Sequence, residues 1–154
     1  MEDPSDSLRG FDLFSHGREE DPFLKYLVNI ANSNSPVEVG VSVTSGGFII
    51  SGLLTSDALY FEQFASAFAG GPTKGPSAVQ SAFKNEIEGF GSPYREPPVS
   101  AEAECDRKYF HMKEAFVIGA DGSIVIGPVW WRGRIDLASG LVLGIIKPVT
   151  TADS

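Results

Sequence analysis

Alternating apolar and polar side chains predict a β-hairpin early in the chain. Apolar residues occupy every second position from Val37 to Val43, the period-two pattern of a strand with one buried face. The Ser45-Gly-Gly47 triplet can supply the positive φ angles of a tight turn, after which Phe48–Leu54 returns as a second strand. Gly52 interrupts that strand, and a glycine inside a strand often marks a bend or bulge.

Helical spacing predicts one helix before this hairpin and two after it. Asp21 followed by Pro22 is the pattern of an N-cap and a first helical residue, so we expect a short helix over 22–32. A helical insertion of about 56–90 follows the hairpin, with Ser56 or Asp57 as its first cap and a break at Gly70-Gly-Pro72.

The second half of the chain predicts three or four more strands. They are Lys108–Ile118, bent near Glu114, then Ile124–Ile126, Val129–Leu137 and Leu141–Ile146, with a break at Gly127-Pro128. The order of elements indicates an α+β fold with a mostly antiparallel sheet of about six strands. Strands with central glycines favour a small, strongly bent, β-barrel-like sheet over a flat one.

The length of the chain and the segments without apolar periodicity indicate the domain organisation. A chain of 154 residues suits one domain, which we place at 21–148. Residues 1–20 have no apolar period and are expected to form an acidic, disordered tail. We expect a loop over 89–106 and a second tail over 149–154.

Composition and charge restrict the classes of function. The formal net charge of −8 disfavours non-specific binding to nucleic acid. Two histidines and the single Cys105 provide no spacing for a zinc site, and one cysteine cannot form an internal disulfide, so we expect a cytoplasmic protein without a metal. The polar N-terminus does not resemble a secretory signal, and no apolar run has the roughly 20 residues that span a bilayer. The glycine pairs lack phosphate-loop spacing, so no cofactor is expected.

A catalytic set is also missing from the sequence. His111 lies on a predicted strand, but no serine or cysteine motif specifies a nucleophile for it, and acids surround Cys105 in a way that raises the pKa of a thiol. We interpret His111 as a structural histidine and expect a protein that is not an enzyme.

Strand alternation groups three candidate partner-binding residues on one face: Trp130, Arg132 and Arg134. A tryptophan beside two arginines can hold an acidic or aromatic partner through charge-assisted hydrogen bonds and cation–π contacts. Two alternatives stay open. The tryptophan can be a packing residue with the arginines paired to Asp136 or Glu114, or the same face can stack on RNA.

Phe61, Phe64 and Phe68 form a second candidate surface on the helical insertion. Their spacing places them on one helical face, which we interpret first as part of the core. If the helices project from the sheet, this face is instead an exposed surface for self-association or docking.

Two resemblances give these residues a context. The stretch Val41–Leu54 and the late Trp131-Arg-Gly-Arg-Ile135 are similar to the Sm-like fold, which implies an oligomeric ring module that binds RNA. A resemblance over nearly the whole chain is carried by Phe48-Ile-Ile-Ser-Gly-Leu53, Tyr109-Phe-His-Met-Lys113 and the same Trp131–Ile135 motif. These motifs resemble the gas-vesicle accessory proteins of the U type (GvpU-like).

The second resemblance implies a non-enzymatic accessory role in the assembly or clustering of gas vesicles. Its implied partners are the shell protein or other accessory proteins, its implied location is the cytoplasm beside the vesicles, and we expect a homo-oligomer. Nucleic acid remains the alternative partner.

Overall fold

The computed structural model describes residues 19–71, 73–91 and 107–146. The predicted N-terminal tail lies outside these residues apart from its last two positions, as do most of the predicted loop over 89–106, the tail over 149–154, His16 and Cys105. The elements are α1 (Pro22–Ala31), β1 (Val39–Ser45), β2 (Phe48–Thr55), α2 (Asp57–Gly70), α3 (Ser77–Phe90), β3 (Tyr109–Ile118), β4 (Ile124–Arg134), a 3-10 helix (Ile135–Leu137) and β5 (Gly140–Leu143).

The described strands form one antiparallel sheet in the order β4-β3-β2-β1-β5. The α+β class predicted from the sequence is confirmed. The sheet is open, with β4 and β5 as its two edges, so it is not a closed barrel. It has five strands where the sequence predicts about six.

The difference in strand number arises at Gly127-Pro128, where the sequence predicts a break. β4 instead continues through this dipeptide, and the chain turns into the 3-10 helix only at Ile135. Proline cannot donate to a ladder, but an edge strand has one side without partners, so Pro128 is accommodated there. Gly127 has a φ of 147°, and a Cβ at this position would lie 2.5 Å from Cδ1 of Phe116. No other residue type fits the backbone at this point.

The bends predicted at the centre of the sheet are confirmed. The register of β2 against β3 shifts between Ser51 and Leu53. At Gly52 an added Cβ would lie 2.9 Å from the Cα of Ala115, so the two backbones approach too closely for a side chain. Glu114, on the opposite strand, has a φ of 51°. The glycine therefore permits a local bulge that increases the twist of the sheet.

The core lies between α1 and one face of the sheet. Asp21 accepts a hydrogen bond from the backbone N of Phe23 at 2.9 Å and so caps α1, as predicted. The buried apolar residues that form this core cluster are Leu24, Val28 and Ala31 of α1 together with Val41, Val43, Ile50, Leu54, Phe110, Met112, Ala115, Val117 and Ile135. Burial of each large aliphatic side chain in this cluster stabilises the fold by about 2 kcal/mol.

Helices α2 and α3 pack against each other, and α2 also contacts β3 on the opposite face of the sheet from α1. Ser56 caps α2, since its Oγ accepts from the backbone N of Leu59 at 3.1 Å. The interpretation of the phenylalanine stripe as core is wrong, because α2 buries Asp57, Tyr60 and Ala65 instead. None of the residues of α3, all of which the structure describes, is buried.

The buried positions of this helical pair are therefore Asp57, Tyr60 and Ala65 of α2. Much of the apolar surface of α2 and α3 stays exposed to solvent. Phe61 and Phe68 are half-buried and Phe64 is 48% exposed. The exposed large apolar residues of α3 are Val79, Phe83 and Phe90.

Candidate partner-binding site

Strand β4 directs its two tryptophans to opposite faces of the sheet. Trp131 packs against the core cluster, while Trp130 is 39% exposed. The ring of Trp130 meets that of Tyr60 edge-on, with 6.4 Å between the centroids. The Trp130 ring thus contacts α2 while the residue stays open to solvent, on the opposite face of the strand from Trp131.

Arg132 lies on the same face as Trp130, and three contacts fix its guanidinium group. Nη1 lies 2.8 Å from Nε2 of His111. The Cζ atom lies 3.9 Å from the centroid of the Tyr109 ring and 5.2 Å from that of Phe61. Each cation–π contact at an exposed site stabilises the arrangement by about 0.5–1 kcal/mol. The cation is therefore held in a fixed position.

The partner of Arg132, His111, belongs to a buried polar network that links β3 to α2. Nδ1 of His111 lies 2.7 Å from Oδ1 of Asp57, whose Oδ2 accepts from Nε of Arg107 at 2.9 Å. Nη1 of Arg107 also donates to Oδ1 of Asn29 at 3.1 Å, which connects the network to α1. His111 and Asp57 are each 2% exposed.

These contacts determine the tautomer and charge of the imidazole. A guanidinium group can only donate, so Nε2 of His111 must accept and Nδ1–H must donate to Asp57. Burial lowers the pKa of His111 below its ordinary value of 6.5, and the nearby cations Arg132 and Arg107 act in the same direction, while Asp57 opposes them. The ring is therefore neutral near pH 7. Both nitrogens are occupied, as expected of the structural histidine that the sequence predicts.

The remaining candidate residues differ in their surroundings. Arg134 forms an ion pair with Asp136, one of the pairings considered from the sequence. Phe61 packs on Phe90 at a centroid distance of 5.9 Å and also makes one of the two cation–π contacts with Arg132. Phe64 contacts Tyr60 at 6.0 Å. A partner-binding role for Trp130, Arg132, Arg134 and the three phenylalanines stays a prediction.

Comparison with known proteins supplies the family. The sequence profile described as "Gas vesicle protein GvpU-like" matches residues 21–146, which is most of the chain. The chain belongs to the GvpU-like family of gas vesicle proteins. Neither a curated protein nor a solved structure matches it. The resemblance noted from the Trp131–Ile135 and Tyr109–Lys113 motifs is thereby confirmed.

Several residues of the site in this GvpU-like protein have no individual signal in the sequence. From the sequence, Asp57 is predicted only as a possible helix cap. Arg107 is only the residue that follows a long predicted loop. Tyr109 meets Arg132 because β3 pairs with β4 in a register that places His111 opposite Arg132. The contact between Tyr109 and Arg132 could be predicted only if the pairing of β3 with β4 were already known.

The residue types at this site of the GvpU-like protein are those common in protein–protein interfaces. The site combines a fixed guanidinium group, an exposed tryptophan and exposed phenylalanine rings, the residue types that are enriched where proteins bind each other. Among residues 19–71, 73–91 and 107–146, no group of three or more His, Cys, Asp or Glu side chains could hold a metal ion. No helix among the described residues is long and apolar enough to cross a membrane.

Proposed function

We propose that this GvpU-like protein is a non-enzymatic accessory factor that acts in the assembly or clustering of gas vesicles in the cytoplasm. It works through protein–protein contacts and self-association, and its partners are the vesicle shell or other accessory proteins. The observation that carries the proposal is the Arg132 guanidinium group fixed beside the exposed Trp130. A cation that is already ordered loses little side-chain entropy when it binds a partner.

The buried network supports a scaffolding role for His111 in place of a catalytic one. General acid–base catalysis requires a nitrogen that can reach a substrate proton. In His111 one nitrogen is bonded to Asp57 and the other to Arg132, and the ring is covered by Tyr60 at a centroid distance of 4.3 Å.

Self-association is supported by the two open edges of the sheet. β5 carries Val142 and Leu143, which are 62% and 81% exposed, and β4 carries three consecutive exposed apolar residues at 124–126. Edge strands with unpaired backbone groups and apolar side chains are templates for pairing with another chain. The exposed phenylalanines of α2 and α3 add apolar area for contact between molecules.

The proposal is tested by co-flotation of the purified full-length protein with buoyant gas vesicles. We expect the protein to float with the vesicles, and we expect Trp130→Ala and Arg132→Gln to reduce the bound fraction about tenfold or more, as truncation of a hot-spot residue does. Lys113→Gln is the matched control, because Glu38 already neutralises Lys113. Its binding should change little.

Two results would contradict the proposal. One is absence of the wild-type protein from the floating fraction together with unchanged vesicle clustering when the protein is deleted from cells. The other is tight, Arg132-dependent binding of a single-stranded RNA oligonucleotide in place of vesicles, which would favour the RNA-binding alternative.

A further inference from the structure

The hairpin of β3 and β4 ends in a short apolar segment of the edge strand, Ile124–Ile126, which we call the β4 tip. Its three residues, Ile124, Val125 and Ile126, are 41%, 59% and 50% exposed. Because they are consecutive in a strand, their side chains alternate between the two faces of the sheet. Within the part of the chain that the structure describes, no strand pairs with the outer side of β4. The backbone and the side chains of the β4 tip are therefore both accessible to another strand.

The distribution of charge favours a second copy of the chain as the partner of the β4 tip. The net charge of −8 makes copies repel each other wherever their acidic surfaces meet. Residues 39–55 and 115–131, which include β1, β2 and the end of the β3–β4 hairpin, contain a single charged side chain, Asp121. Two copies can therefore approach each other at the β4 tip with few like charges between them.

The opposite edge of the sheet is less suited to the same contact. β5 has only four residues, and it is followed by Gly144 with a φ of 112°, which is outside the extended region. Gly140 and Leu141 of β5 border a cleft that is also lined by four carboxylates: Glu19, Glu20, Asp21 and Asp136. Pairing of two β5 edges would therefore bring more acidic groups together than pairing at the β4 tip.

The sequence of the β4 tip is self-complementary. Ile-Val-Ile is the same in both directions, so antiparallel pairing about a two-fold axis at Val125 places Ile124 opposite the partner's Ile126. Asp121 lies four positions from this axis. The two Asp121 residues would thus be about 26 Å apart along extended strands. That separation exceeds the Debye length of about 8 Å at physiological salt, so their repulsion is screened.

We propose that two copies of this protein associate by antiparallel pairing of their β4 tips about a two-fold axis at Val125. The proposal rests on the self-association in the proposed function and assigns it to one edge of the sheet. The paired residues end before Trp130 and Arg132, which stay available to a vesicle partner. A segment of three residues buries less than the roughly 1,600 Å² of a standard interface, so the dimer is weak and reversible.

Disulfide cross-linking of the full-length chain tests the position of the axis. Val125→Cys in a Cys105→Ser background has one thiol per chain, and the axis places it opposite its copy, with Cβ atoms about 5 Å apart. We expect mild oxidation to give a disulfide-linked dimer. Val142→Cys in the same background is the matched control, because Val142 is 62% exposed at the other edge. Equal dimer yields for the two variants, or no dimer from Val125→Cys, would overturn the proposal.

Charge substitution at the axis provides a second test, measured by sedimentation velocity over a range of concentrations. Val125→Lys or Val125→Glu alone should weaken association about tenfold or more, because two like charges then face each other. An equimolar mixture of the two variants should restore association, because lysine then faces glutamate. Val142→Lys makes the same change of net charge on β5 and should leave association unchanged. Both positions are exposed, so the fold should be preserved.

The outcomes separate this proposal from the proposed function. Association of the wild-type protein that Val125→Lys does not weaken, or that the mixture does not restore, would overturn pairing at the β4 tip and leave self-association standing. Loss of association in Val142→Lys alone would assign the contact to β5 and would also overturn the proposal. A wild-type protein that is monomeric at every concentration would contradict both. Flotation with vesicles is measured independently, since Val125→Lys leaves Arg132 unchanged.

Discussion

Nη1 of Arg132 donates to Nε2 of His111 across 2.8 Å, and this bond connects the buried imidazole to the exposed Arg132 side chain. The acceptor role of Nε2 leaves Nδ1–H for Asp57. Because Asp57 is the first residue of α2, the network joins the position of the helical insertion to the orientation of the exposed cation. The predictions below follow from this connection and from the packing of the sheet.

Replacing Asp57 by alanine is expected to destabilise the protein strongly. Its carboxylate is bonded to both His111 and Arg107, so its removal leaves the buried Nδ1–H of His111 without its acceptor and takes one ion pair from Arg107. We expect the free energy of unfolding to fall by about 3 kcal/mol or more. Urea denaturation measures this change. Arg134→Gln, which breaks an exposed ion pair, should cost less than about 1 kcal/mol, and similar losses for both variants would contradict the assignment.

Stability should decrease as the pH falls from neutrality through the unfolded-state pKa of histidine, near 6.5. The pKa of His111 is lowered in the folded state, so between the folded and unfolded pKa values the unfolded chain binds more protons. The loss continues down to the folded pKa and then stops. Urea unfolding at pH 7.5 and 5.5 checks the sign. His111→Gln should flatten this dependence in that range, and His16→Gln, outside the described residues, should leave it intact.

Gly52→Ala should destabilise the sheet at its bulge. The added Cβ would lie 2.9 Å from the Cα of Ala115 and 3.0 Å from the backbone O of Lys113, and neither backbone atom can move without shifting the strand. We expect a cost of about 1–3 kcal/mol in thermal or urea unfolding. Gly89→Ala is the control within a helix, where nothing lies within 4 Å of the new Cβ. That variant should stabilise α3 by up to about 1 kcal/mol, and equal behaviour of the two would refute the close approach at Gly52.

Phe83→Ser should reduce self-association while it preserves the fold. Phe83 is 49% exposed on α3, a helix without a buried residue. A surface substitution of this kind changes the free energy of unfolding by about 0.5 kcal/mol or less. Sedimentation velocity over a range of concentrations measures association, with Ser81→Ala on the same helix as the control. Unchanged association of Phe83→Ser would exclude this helix face from the contact between copies.

The sequence alone determined the elements whose signals are local. Asp21 and Ser56 cap their helices because a short polar side chain reaches the free backbone N–H groups of the first turn. The alternation from Val39 to Val43 places Val41 and Val43 in the core, but the prediction of a single buried face is wrong because Ser42 on the other face is buried too. Gly52 allows a bulge wherever another strand comes close. These effects depend on a few neighbouring residues, so a reader of the sequence can find them.

The tertiary structure alone decided which distant side chains meet. The Asp57–His111 contact joins residues 54 positions apart, and Arg132 reaches His111 through the pairing of two strands. β4 continues through Pro128 because it lies at the edge of the sheet. Phe64 is exposed because the opposite side of α2 packs against the sheet. Each outcome was set by packing and strand order. No local pattern contains that information, because the same side chains fit several arrangements until the whole chain has folded.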